Sequence, residues 1–128
     1  MTELKKIMYV EDQADIQMVA KVALESVAGF EVLICSDGEE AINKVVNFGP
    51  DLILLDVMMP GMDGPTTKTE LAKIPEIKDI PVIFMTAKIQ PNEVEEYKNM
   101  GAIDVIPKPF DPMTLGDQIR NIWNSIPA

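Results

Sequence analysis

The stretch DLILLDVMMPGMDG at residues 51–64 decides the fold. Residues 51–55 form a mostly apolar run without alternation, which is typical of a strand covered on both faces in a parallel sheet. The run leads into Asp56, and the turn formers Pro60, Gly61 and Gly64 follow. In open parallel α/β sheets, ligands bind at the carboxyl ends of the strands, so the stretch predicts such a sheet with Asp56 at its functional edge.

Four further runs, at residues 6–10, 31–35, 82–85 and 102–106, predict the other strands. Helical periodicity separates the runs. The first helix carries an apolar stripe made of Ile16, Val19, Ala20, Ala23, Leu24 and Val27, and the second carries Ala41, Ile42, Val45 and Val46 after a cap at Ser36 or Asp37. Five βα repeats predict a parallel sheet with helices on both faces.

The remaining helices differ in the strength of their patterns. The last helix is predicted to begin with Asp111 as N-cap and Pro112 at the first helical position, and to end near Pro127. The helices after Gly64 and Pro91 have sparse apolar stripes, and few buried contacts imply low local stability. We therefore expect mobility there.

Composition narrows the possible functions. The 128 residues and the absence of a linker predict one domain over residues 1–128. The net charge of −10 argues against direct binding of nucleic acid. No run suits a signal peptide or a membrane span, and the single Cys35 in an apolar run suits a buried thiol, so we expect a cytoplasmic protein. The chain contains no histidine, which excludes a histidine phosphocarrier within it.

Five reactive residues follow four of the predicted strands: Glu11, Asp12, Asp56, Thr86 and Lys108. They should meet at the carboxyl edge of the sheet. Three carboxylates are suitable ligands for Mg²⁺, and without a cation their repulsion should raise at least one pKa. A helix cap for the acidic pair or the hydroxyl, and a surface position for the lysine, are the structural alternatives.

The same residues suit phosphoryl transfer. Asp56 is the candidate nucleophile, because a carboxylate can form an aspartyl phosphate. Lys108 and a metal would hold phosphoryl oxygens, and Thr86 would donate a hydrogen bond to one. Lys108 stands between Pro107 and Pro109, and a cis Lys108–Pro109 bond would direct the lysine into the crevice.

Four motifs resemble the receiver domain of bacterial response regulators, in particular the single-domain chemotaxis regulators. They are MYVED at 8–12, DLILLDVMMPGMDG at 51–64, PVIFMTA at 81–87 and GAIDVIPKPF at 101–110. The resemblance covers essentially the whole chain. It implies a flavodoxin-like sheet in the order 2-1-3-4-5, with the first and last helices on one face.

The resemblance also implies roles for individual residues. Asp56 would be the phosphoacceptor, Asp12 a direct Mg²⁺ ligand and Glu11 a ligand through water. The backbone carbonyl of Met58 would complete the metal site. Thr86 and Lys108 match the hydroxyl and the lysine of the family's site.

Departures from the family pattern carry predictions of their own. Glu11 stands where aspartate is more common, and Mg²⁺ binding should survive the longer side chain. Val105 occupies the position of the family's aromatic switch, so coupling of Thr86 to a ring flip is not expected. Met58 and Lys88 flank the path of the hydrolytic water and cannot orient it well, so self-dephosphorylation should be slow.

The leading hypothesis is a stand-alone phosphoacceptor switch. A sensor histidine kinase or a histidine phosphotransfer protein would donate the phosphoryl group, and the active form would bind a target protein through the fourth helix, fifth strand and fifth helix. The alternatives are a receiver cut from a larger hybrid kinase or regulator, and an inert pseudo-receiver. A haloacid-dehalogenase-like phosphatase would need aspartate at Met58, and a flavodoxin would need a Ser/Thr/Gly-rich loop at EDQAD.

Overall fold

The protein is a three-layer α/β structure built on one parallel sheet, and the computed structural model describes residues 3–87 and 89–127. The strands are β1 (Lys6–Val10), β2 (Glu31–Cys35), β3 (Leu52–Asp56), β4 (Val82–Thr86) and β5 (Asp104–Pro107). All neighbouring strands pair in parallel, in the order β2-β1-β3-β4-β5. The predicted fold class and strand order are confirmed.

The helices divide between the two faces of the sheet. They are α1 (Ala14–Lys21), which continues into a π-helical segment (Val22–Val27), α2 (Gly38–Phe48), α3 (Gly64–Leu71), α4 (Pro91–Asn99) and α5 (Leu115–Asn124). One buried cluster joins the sheet to α1, the π-helical segment and α5, and a second joins it to α2 and α3, with Tyr97 of α4 at its border. None of the described helices is long and apolar enough to cross a membrane.

The strand ends differ from prediction in a way that matters for the site. β3 and β4 each extend one residue further than predicted, because Asp56 pairs with Met85 and Thr86 pairs with Pro107. β5 also begins later than predicted and includes Pro107. Asp51 lies before β3, and its carboxylate accepts hydrogen bonds from the backbone N–H groups of residues 5 and 6 at 3.0 and 2.9 Å. Asp56 and Thr86 are therefore held by the sheet itself.

The predicted stripe of the first helix is correct only in its centre. Ala20, Ala23 and Leu24 are fully buried, whereas Val19 and Val27 are exposed. The wider i→i+5 winding of the π-helical segment breaks the 3.6-residue period at Val27, whereas Val19 lies in α1 before that segment. The buried seam against the sheet consists of Ala20 of α1 and of Ala23 and Leu24 of the π-helical segment.

The second helix follows its predicted pattern except at one position. Asp37 is the N-cap, and its side chain accepts a hydrogen bond from the Glu40 N–H at 2.7 Å. Ala41 and Val45 are buried, but Val46 is exposed, which corrects the prediction. Val46 lies beyond the width of the stripe that faces the sheet.

The last helix begins later than predicted. Pro112 lies in a turn, and α5 has Thr114 as N-cap and Leu115 as first residue. Asp111 caps this turn instead: its side chain accepts from the Met113 N–H at 2.9 Å, and its carbonyl accepts from the Leu115 N–H at 2.9 Å. The helix ends at residue 124 rather than near 127. The prediction failed because an aspartate can cap a turn as well as a helix.

Of the two helices predicted to be weakly anchored, α3 buries Gly64, Thr67 and Leu71, whereas α4 is the more exposed. None of its residues is buried. Its main aromatic contact is between Tyr97 and Phe84 of β4, whose ring centroids lie 5.4 Å apart in an edge-to-face arrangement. Few buried contacts are the physical basis of low local stability, so the expected mobility of α4 stays a prediction.

Candidate functional site

The carboxyl edge of the sheet gathers three carboxylates from two neighbouring strands. Glu11 and Asp12 follow β1, and Asp56 ends β3. One carboxylate oxygen from each of these residues lies within 4.8 Å of the others. Glu11 and Asp56 are buried, and Asp12 is half-buried. The prediction that far-apart stretches would bring these acids together is confirmed by their positions.

Lys108 is the cation of this cluster. Its Nζ donates to Glu11 Oε1 at 2.8 Å and to Asp56 Oδ1 at 3.1 Å. The Lys108 N–H donates to the carbonyl of Thr86 at 2.9 Å, so the loop after β5 is tied to the end of β4. The Lys108–Pro109 peptide bond is cis. The lysine is therefore a member of the crevice and not a surface residue.

Burial and the neighbouring charges shift the pKa values of Glu11 and Lys108. Burial raises the pKa of Glu11 most strongly; the hydrogen bonds from Lys108 and from the Gln13 N–H oppose the rise, and the charge of Asp56 adds to it. Burial disfavours the Lys108 ammonium, but the hydrogen bonds and charges of Glu11 and Asp56 outweigh burial and raise the pKa of Lys108. Burial therefore contributes more to the raised pKa of Glu11 than the predicted repulsion between carboxylates does.

The donor set fits a hard divalent cation. Asp12 Oδ1 is buried and accepts no hydrogen bond from the described residues. A buried polar atom of this kind normally has a partner, and a metal ion would provide one. Three carboxylates and one ammonium also leave excess negative charge in the crevice, and Mg²⁺ prefers oxygen ligands. The cluster can hold a metal ion.

The hydrogen bonds that orient Glu11 were not predicted from the sequence. Its second carboxylate oxygen accepts from the Gln13 N–H at 3.2 Å, and its backbone carbonyl accepts from Gln17 Nε2 at 2.6 Å. The Tyr9 hydroxyl lies 3.5 Å from Glu11 Oε1. The strand period of two places Tyr9 and Glu11 on the same face of β1, and that spacing was the available signal.

A family model for the response regulator receiver domain matches residues 7–120, which include every member of this cluster. This chain belongs to the receiver domain family. The receiver domain is a signalling domain of two-component systems, which accounts for the fold and for the composition of the crevice.

Known relatives of this receiver domain include transcriptional regulators. The probable transcriptional regulator ycf27 of Porphyridium aerugineum is 36% identical over 122 residues, which are 95% of this chain and 49% of that protein. The phosphate regulon transcriptional regulatory protein PhoB of Pseudomonas aeruginosa is 37% identical over 118 residues, or 92% of this chain and 51% of that protein. The chain thus spans about half the length of the curated relatives it matches.

A solved structure of similar size also matches this receiver domain. Chemotaxis protein CheY4 of Vibrio cholerae superposes with a TM-score of 0.85 at 30% identity, covering 94% of this chain and 99% of that one. The likeness therefore extends over nearly the whole length of both chains.

Three of the other four predicted site residues lie in described parts of the receiver domain. Thr86 is buried at the end of β4, and Val105 of β5 is half-buried beside the second cluster. The Met58 side chain is 64% exposed, in the loop after β3. Lys88 lies outside the described residues. The switch and hydrolysis roles of these four residues stay predictions.

Proposed function

We propose that this receiver domain accepts a phosphoryl group on Asp56 and that the modification switches its binding to other proteins. The position of Asp56 carries the proposal. It is the carboxylate at the end of the central strand β3, with the Lys108 ammonium at 3.1 Å and an oxygen of Glu11 and of Asp12 within 4.8 Å. Asp56 therefore lies beside an amine and two further metal-ligand candidates.

The chemistry is a displacement at phosphorus. A carboxylate oxygen of Asp56 attacks the donor phosphorus while the bond to the leaving group breaks, and the leaving group takes the electron pair. The leaving group is imidazole from a phosphohistidine, or acetate from acetyl phosphate. Lys108 neutralises charge on the transferred group, and Thr86 donates a hydrogen bond to it. Mg²⁺, held by Asp12, Asp56, the Met58 carbonyl and, through water, Glu11, would offset the charge of the phosphoryl oxygens.

The proposed partners are a phosphoryl donor and a target protein. A sensor histidine kinase or a histidine phosphotransfer protein would supply the phosphohistidine, since residues 1–128 contain no histidine. We place the target protein on the face formed by α4, β5 and α5, where α4 has no buried residue to hold it in one position. The net charge of −10 favours a protein target over nucleic acid.

The receiver domain would act as a switch in the cytoplasm and not as an enzyme with a separate substrate. The burial that raises the pKa of Cys35 to about 12 makes its thiol inert, which suits a reducing compartment. Curated relatives about twice as long favour a second form of the same function, in which residues 1–128 are the receiver domain of a larger regulator. An inert pseudo-receiver remains the alternative that an experiment must exclude.

Intact-mass measurement after incubation with acetyl phosphate and Mg²⁺ tests the proposal. The wild type should gain one phosphoryl group, and Asp56→Asn should gain none because the nucleophile is removed. Asp63→Asn is the matched control: Asp63 is an exposed N-cap of α3, and asparagine caps equally well. Stoichiometric labelling of Asp56→Asn would refute the assignment, and an unlabelled wild type would favour the inert alternative.

A further inference from the structure

Tyr9 lies beside Glu11, a member of the cluster that contains the proposed phosphorylation site. Its side chain is fully buried in the cluster that joins the sheet to α1 and α5. Its hydroxyl lies 3.5 Å from Glu11 Oε1, the same oxygen that accepts from Lys108 Nζ at 2.8 Å. Two side-chain donors of the described residues therefore reach one carboxylate oxygen, and the lysine is the closer of them.

The hydroxyl of Tyr9 can serve only as a donor to this oxygen. A carboxylate oxygen accepts hydrogen bonds, so the hydroxyl is the donor in this contact. A buried tyrosine hydroxyl needs a hydrogen-bond partner, and among the described residues Glu11 lies within reach. The contact is long at 3.5 Å, and the Lys108 ammonium is the nearer donor to the same oxygen.

Transfer of a phosphoryl group to Asp56 would change this arrangement. In the unphosphorylated structure, the Lys108 ammonium forms ion pairs with both Glu11 and Asp56. A phosphoryl group on Asp56 presents further anionic oxygens to the same ammonium, and Lys108 moves toward them. Glu11 Oε1 then loses its nearest donor, and another donor that takes the place of the lysine stabilises this buried oxygen.

We propose that Tyr9 is a positioning residue whose hydroxyl holds Glu11 Oε1 in place when Lys108 turns to the phosphoryl group. The longer side chain of glutamate is part of this arrangement, because an aspartate carboxylate would end one carbon nearer its own backbone and away from the hydroxyl. The inference rests on the proposed function, since it assigns Tyr9 a role in phosphorylation of Asp56.

A double-mutant cycle on the rate of phosphorylation by acetyl phosphate tests the inference. Tyr9→Phe keeps the ring and removes the hydroxyl, and it should slow phosphorylation about 5- to 10-fold in the presence of Glu11, as expected for loss of one long hydrogen bond of ordinary strength. In the Glu11→Asp background, the same change should have less than about a twofold effect, because the shorter carboxylate does not use the hydroxyl. Tyr97→Phe, which removes the other tyrosine hydroxyl of the chain, should leave the rate unchanged.

The possible outcomes distinguish the role of Tyr9 from the proposed phosphorylation of Asp56. A purely structural role of the hydroxyl would slow the reaction equally in both backgrounds, and that result would overturn the inference. Equal rates for wild type and Tyr9→Phe would overturn it as well, while leaving Asp56 as the phosphoacceptor. Absence of labelling in the wild type would refute the proposed function and, with it, this role of Tyr9.

Discussion

Lys108 places one ammonium group between two buried carboxylates, at 2.8 Å from Glu11 and 3.1 Å from Asp56. A lysine suits this position because its ammonium is a compact charge with three donors on a flexible stem. The ammonium can break its ion pair with one carboxylate and keep its ion pair with the other. Asp12 has the opposite character, since its buried Oδ1 has no donor among the described residues. In the proposed function, Lys108 would hold the phosphoryl group and Asp12 the cation.

Met58 supplies a prediction about the lifetime of the phosphorylated form. Its exposed thioether, two residues after Asp56, cannot orient a water molecule well. Met58→Asn should therefore speed the decay of phosphorylated protein by about tenfold, if the new amide lowers the barrier by about one hydrogen bond. The decay is measured by intact mass after acetyl phosphate is removed.

Met113→Asn is the control for this experiment. Met113 is comparably exposed but precedes α5, so its replacement should leave the decay rate unchanged. A Met58→Asn protein that decays no faster than wild type would show that this position does not limit hydrolysis.

Among the elements, α4 has one aromatic contact with the sheet. Val105 of β5 offers no ring, and the edge-to-face contact lies between Tyr97 of α4 and Phe84 of β4. Phe84 is fully buried in the sheet, whereas Tyr97 is only half-buried. Thr86, at the end of β4, lies two residues along the strand from Phe84, which contacts α4 through Tyr97.

Removal of this contact should loosen α4 selectively. Tyr97→Ala should increase amide hydrogen exchange within α4 by about tenfold, because an aromatic pair contributes ~0.5–1.5 kcal/mol beyond its buried area. Exchange in β3 and β4 should stay unchanged. Val94→Ala is the control, since Val94 is also half-buried on α4 and takes no part in the ring contact. Equal effects of both variants would assign the anchoring to general burial.

For the whole molecule, the site concentrates negative charge in a protein that is already acidic. The net charge is −10, and of the three carboxylates in the crevice only Glu11 and Asp56 form ion pairs with Lys108 in the described structure. Self-repulsion of this kind opposes the compact state. A ligand that binds the folded protein alone, such as a cation in this cluster, should stabilise the whole chain.

Addition of Mg²⁺ should therefore raise the free energy of unfolding. With free Mg²⁺ at ~100 times its dissociation constant, linkage gives a gain of about 2.7 kcal/mol. Thermal unfolding with and without Mg²⁺ measures it, with NaCl at the same ionic strength as the control for screening. Asp12→Ala should abolish the specific gain. A gain of the same size in that variant, or in NaCl alone, would contradict the assignment of this metal site.

Much of this protein was predictable from short patterns in its sequence. The apolar runs without alternation predicted buried parallel strands, and the carboxylates, hydroxyl and lysine after them predicted the contents of the crevice. Element ends were less predictable. Asp111 caps a turn before α5 because an aspartate serves turns and helices equally, and Val27 is exposed because a π-helical segment changes the period.

The sequence by itself determined the sheet, its helices and the reactive residues at its edge, because these follow from local periodicity and from the rule that parallel strands share one carboxyl edge. Only the tertiary structure decided that Lys108 donates to both Glu11 and Asp56 and that Tyr9 reaches Glu11. It also decided which oxygen of Asp12 has no partner among the described residues. Those features depend on distances between side chains brought together from separate strands. Such distances are set by packing of the whole core, which no local pattern encodes.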